Sequence, residues 1–200
     1  YAAAMLDLLD GLRLREVDVL GAQTGAAVAA EIAIARPRQL RQLVLVGVPA
    51  FAAAEREAFE REPWPAAAAE DGSHALREWR RLASAVGGGV PLEARAQAHA
   101  DALRNGVHAV QATRAALDWD ARARLALVQQ PVLVLRARDS LWEQTQRARE
   151  WLGNATWREL PQYGDGLFDA APREIAALLR GFLDAGAVRR PGGDVRAAAR

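Results

Sequence analysis

Apolar and polar positions follow two different rhythms along the chain. Met5, Leu8, Leu9 and Leu12 recur at helical spacing, so residues 1–14 are predicted as a helix with Gly11 near its end. Residues 17–20 form a short β-branched apolar run, read as a buried strand. Residues 25–35 are an alanine-rich helix able to pack closely on a sheet, and Pro37 stops it. Residues 43–48, within "LRQLVLVGVPAF", supply a second buried strand. Helices and strands that alternate in this way predict a parallel sheet covered on both faces.

From residue 52 to about residue 127 the strand signal stops and helical patterns take over. One helix is expected over 73–86, before Gly87-Gly88-Gly89. A second has Pro91 in its first turn and ends at Asn105-Gly106, and a third reaches Asp118. The α/β rhythm then returns. "PVLVLRARDS" reads as a strand and its exit loop, "LWEQTQRAREWL" as a helix, and "TWRELPQYGDG" as a last strand and loop. "APREIAALLRGFLD" closes the fold, with Ile175, Leu178, Leu179 and Phe182 on one stripe. The expected fold class is α/β: a mostly parallel sheet of about four strands with flanking helices. Residues 1–51 and 128–184 would form the core, 52–127 an inserted helical cap, and 185–200 a disordered tail.

Composition narrows the function classes. The 200 residues carry 26 basic and 25 acidic side chains, a net charge of +1, so nothing favours nucleic acid or an anionic membrane. All the basic residues are arginine, which beside so much alanine reads as coding bias, not chemistry. Without cysteine there are no disulfides, thiolate metal sites or cysteine nucleophile. No apolar run reaches the roughly 18 residues of a membrane span, and the cytoplasm is the expected compartment. His74, His99 and His108 lack metal-ligand spacing; no metal and no cofactor is expected.

Four stretches, in order, resemble the α/β-hydrolase superfamily over residues 1–184. "VDVLGAQTGAAVAAEIA" is similar to its nucleophile elbow, the Gly-x-nucleophile-x-Gly turn between strand and helix. "LRQLVLVGVPAF" resembles the next strand, which leads into the cap. "QQPVLVLRARDSLWE" resembles the strand whose exit loop carries the catalytic acid. "RELPQYGDGLFDAAPREIAALLRGFL" resembles the histidine loop and last helix. The resemblance implies a small, mostly apolar molecule bound under the cap. It further implies that only the second half of an approximately eight-stranded sheet is present. A missing N-terminal segment or a partner is then expected to cover the exposed edge at residues 17–20.

By this resemblance Gln23 stands at the nucleophile position, Asp139 at the acid position and Asp165 at the histidine position. Gly21 and Gly25 would leave room for the backbone of the turn, and the Thr24 amide would be an oxyanion donor. A triad needs a nucleophile, a base and an orienting acid. Glutamine has no usable pKa, so hydrolysis is expected to be absent or much reduced. Two alternatives stay open. Asp139 and Asp165 could share a proton as an acid–base pair, with Gln23 bridging them, or could be two solvated carboxylates turned apart. The Thr24 hydroxyl has a packing or capping role beside a substitute-nucleophile one, and Ser140 reads as an exposed loop hydroxyl.

Among the remaining side chains, His99 is a candidate pocket base or a packing histidine, and Trp142, directly after the acid loop, a candidate pocket wall or a core-filling side chain. Trp64, Trp79 and Trp119 fall in the cap segment. "REWRR", residues 77–81, reads as a solvated helix face, and Asp118 and Asp120 as turn or capping residues. Function therefore divides between an active hydrolase or lyase and a non-catalytic module that binds a small molecule or partner.

Overall fold

The computed structural model describes residues 1–61, 68–86 and 89–188. Trp64 and residues 189–200 of the expected tail lie outside them. Among the described residues one sheet has four strands: β1 (Val17–Ala22), β2 (Leu40–Val46), β3 (Val132–Ala137) and β4 (Ala155–Leu160). They lie in sequence order and every pair is parallel. Parallel neighbours need crossovers, and helices supply them. α1 (Ala2–Gly11) precedes β1, and α2 (Thr24–Ala35) joins β1 to β2. Between β2 and β3 run α3 (Ala53–Arg61), α4 (Ser73–Val86), α5 (Leu92–Asn105), α6 (Ala109–Leu117) and α7 (Ala121–Leu125). α8 (Trp142–Arg147) leads to β4, and α9 (Leu167–Ala170) and α10 (Pro172–Val188) follow it.

The two central strands are buried on both faces, which is why they read as unbroken apolar runs. Leu43 and Leu45 of β2 and Val132 and Val134 of β3 point into one core, with Ala26, Ala29, Ala30 and Ala33 of α2. Val44, Val46, Leu133 and Leu135 point into the other, with Leu167 of α9 and Ile175 of α10. The alternation follows from the two-residue period of a strand.

Several boundaries differ from expectation for local reasons. β1 runs on to Ala22, because its ladder with β2 continues to the Ala22–Val46 pair. β2 starts at Leu40 and stops at Val46, where Gly47 turns out of the sheet with φ +64°. Pro91 caps α5 from outside its first turn. Residues 185–188, expected in a disordered tail, continue α10. Gly186 permits this, since a Cβ there would lie 2.3 Å from Gln42 Cδ on β2. β1 is an edge strand, with Leu20 exposed on it, Met5 and Leu8 exposed on the preceding α1 and Leu12 exposed just after that helix. No described helix is long and apolar enough to cross a membrane.

Candidate functional site

The site starts from a sharp turn. Between β1 and α2, Gln23 adopts φ 50° and ψ −118°, a region costly for any residue with a side chain. Backbone bonds hold it there: its N–H donates to Val46 O at 2.7 Å, and its C=O accepts from Ala26 N at 2.8 Å. Gly21 makes the turn possible, because a Cβ would lie 2.1 Å from Gly25 O and 2.7 Å from Ala29 Cβ. The expected space-making role does not extend to Gly25. A Cβ at that position meets nothing within 4 Å, and it is the Gly25 carbonyl that needs Gly21 bare. Thr24 opens α2, so its amide is among those without a partner inside the helix.

Three loops distant in sequence meet at this turn. Gln23 Nε2 donates to Asp165 Oδ1 at 3.1 Å. The same oxygen accepts Ser140 N at 2.8 Å and Ser140 Oγ at 3.1 Å. Ser140 therefore fixes the Asp165 carboxylate, a role its reading as a plain loop hydroxyl did not foresee. Asp139 takes a different partner, accepting Leu141 N on Oδ1 at 3.0 Å. Gln23 thus bonds Asp165 without bridging the two carboxylates. Asp139 Oδ2 occupies the space over the bare Gly47 Cα, 2.7 Å from where a Cβ would stand, with Gln23 Cγ 3.4 Å from the same point. Burial pushes the Asp139 carboxyl up to about 6; the charge of Asp165 adds to this, and the Leu141 amide and Arg136 pull it partly back.

A cavity of about 1080 Å³ opens over these groups. Gln23, Thr24, Asp139, Ser140 and Asp165 line it from the strand ends, and residues of α4, α5 and α6 line it from the other side. Leu82, Val90, Leu141 and Phe168 give it apolar surface. Arg77, Glu78 and Arg81 face it, so "REWRR" is not simply a solvated face. Arg81 and Glu78 make a two-pronged ion pair at 2.9 and 2.6 Å. That fork raises the Arg81 pKa, and the field of Asp165 also contributes.

His99 and Trp142 are not among the lining residues, so of their two readings the packing one fits. His99 Nε2 sits 2.8 Å from Ala75 O, with its ring edge-on to Trp79 at 5.5 Å, so it ties α5 to α4. Trp142 carries the Arg136 guanidinium on its ring face at 3.4 Å, because α8 turns it back onto β3. Asp120 is a cap, accepting Ala123 N at 3.0 Å at the start of α7. No group of three or more possible metal ligands occurs among the described residues. Gly47 was missed although a glycine directly after an apolar strand was a visible signal.

Neither a family model nor a curated protein matches the sequence. Solved structures match its fold. A bromoperoxidase from Bacillus anthracis superposes with TM-score 0.74 at 16% identity, over 92% of this chain and 72% of that one. An esterase from Exiguobacterium antarcticum gives 0.71 at 16%, over 92% and 72%. An N-acyl homoserine lactone degrading enzyme gives 0.69 at 21%, over 90% and 73%. The parallel sheet, its flanking helices and these superpositions show that the chain has the α/β-hydrolase fold and spans roughly seven-tenths of the length of these solved chains.

Proposed function

We propose that this chain comes from an ester- or acyl-hydrolase lineage, has lost nucleophilic hydrolysis or retains little of it, and binds a small molecule in the cavity under a helical cap. The observation that carries this is the occupant of the strained turn. In the fold's elbow that position presents a nucleophile, and here it presents an amide. Gln23 can donate and accept hydrogen bonds but cannot be activated by proton removal near neutral pH. Its amide is bonded to Asp165, where the relay base would stand. A carboxylate held by Ser140 and Gln23 stabilises a fixed polar trio, not a proton relay.

The test is labelling with a fluorophosphonate probe beside turnover of p-nitrophenyl acetate. Neither should exceed background. A stoichiometric adduct on Ser140 or Thr24 would overturn the reading. Gln23→Ser combined with Asp165→His should then raise ester turnover above the parent, because the turn and the helix amides remain in place.

One observation favours a second reading. Asp139 titrates at about 6 beside another carboxylate and in a cavity, the setting for general acid–base chemistry on a bound molecule. That reading requires a bell-shaped pH–rate curve on some ester, lactone or epoxide, lost in Asp165→Asn. Flat background rates across such a panel leave only the binder.

A further inference from the structure

The cavity walls differ in charge. Asp139 and Asp165 line it from the loops after β3 and β4, and Asp169 lines it from α9. Arg77, Arg81 and Arg95 line it from α4 and α5, and Glu78 is the carboxylate among the described residues of that wall. Asp165 meets Gln23 and Ser140 through Oδ1 alone, which leaves Oδ2 as the acceptor for an incoming donor. The two walls feel each other, since the field of Asp165 reaches Arg81.

Each simpler ligand class fits poorly. A neutral apolar molecule would strip water from carboxylates and guanidinium groups without replacing it. A plain anion would meet three aspartates, and a plain cation three arginines. A molecule with opposite charges at its two ends satisfies both walls, and its middle can lie on Leu82, Val90 and Phe168. We propose that the cavity takes a small zwitterion of the dipeptide kind, its ammonium toward Asp139 and Asp165 and its carboxylate toward the arginines of α4 and α5. This rests on the reading of the cavity as a small-molecule site.

The experiment is calorimetric titration at pH 7 with leucyl-leucine and three derivatives: the N-acetyl compound, the C-terminal amide and the doubly capped molecule. Each cap removes one charge and changes the shape little. Leucyl-leucine should bind tightest, and each cap should weaken binding about tenfold. Asp165→Asn should reduce the cost of acetylation and keep that of amidation. The double variant Arg77→Gln/Arg95→Gln should do the reverse. The ligand series on the unaltered protein stands even if a variant folds poorly. Equal affinity for the free and doubly capped molecules, or a cost from only one cap, overturns the zwitterion while leaving the small-molecule site. No binding by any of the four overturns both.

Discussion

Replacing Asp139 by asparagine isolates the electrostatic cost of the site. In the folded chain this carboxyl titrates at about 6, against 3.8 for the ordinary group. The folded state thus holds the proton more firmly than the unfolded chain does. A raised acid pKa means that ionisation opposes folding: stability falls as pH rises from about 4 to about 6, and the penalty is fully present above that window. The difference corresponds to about 3 kcal/mol, and partial solvent exposure trims this to about 2 kcal/mol. Asparagine keeps an oxygen for the Leu141 amide and the same shape beside Gly47, but it carries no charge. Asp139→Asn should therefore be more stable than the parent by about 2 kcal/mol at pH 8, and by less than about 1 kcal/mol at pH 4. Paired urea melts at the two pH values measure this, since the difference cancels all other titrating groups. A gain that does not shrink between pH 8 and pH 4 would refute the burial argument.

Four further outcomes follow from contacts around the site. Thr145 is fully buried and its Oγ1 accepts Val48 N at 2.8 Å, so Thr145→Val should leave that amide unpaired and cost about 1–3 kcal/mol in urea melts, with unchanged m-value. Gly21→Ala should cost about 3 kcal/mol or more, because its Cβ collides with the Gly25 carbonyl. Gly25→Ala, in open space on α2, should instead gain up to about 1 kcal/mol in the same assay. Both Gln23→Ala and Gln23→Gly lose the bond to Asp165, but only glycine relieves the positive φ. The glycine variant should be about 1 kcal/mol more stable than the alanine variant, and equal midpoints would deny the strain.

How much of this was legible in the sequence depended on the range of the physics. β2 and β3 stood out because burial on both faces leaves no polar interruption in Leu43–Leu45 or Val132–Leu135. α7 and α9 span about one turn, too short to show a helical period. The meeting of Gln23 with Asp165 was readable through motif order, because strand ends of a parallel sheet share one edge. Which carboxylate the glutamine chose was not readable. That choice rests on Ser140 drawing Asp165 Oδ1 to itself while Leu141 draws Asp139 away, and loop packing alone sets both. For His99 and Trp142 the sequence left pocket and packing roles open for one reason: their neighbours in sequence face the cavity, and only the phase of a helix turns each of them toward another helix or strand.

The retained strain at Gln23 bears most directly on history and function. A positive φ at a residue with a long side chain costs about 1–3 kcal/mol, and glycine would relieve it. The turn keeps its shape with an amide at its apex, so its shape does not depend on a hydroxyl or thiol there. Geometry maintains it: Val46 O holds the Gln23 amide, Ala26 N holds its carbonyl, and the gap at Gly21 lets α2 lie against β1. Those contacts over-determine the turn, and whatever side chain stands at its apex is thrust into the cavity. An amide placed there costs the same strain as a nucleophile and gains a bond to Asp165 in return. On the proposed reading, the amide at one triad position makes sense only with the carboxylate at the other. Gln23→Ser alone would leave a hydroxyl beside a carboxylate rather than an imidazole, and Asp165→His alone would leave an imidazole beside an amide. Rescue of ester turnover should therefore require both changes together, and appreciable turnover in either single variant would show that the two positions are not coupled.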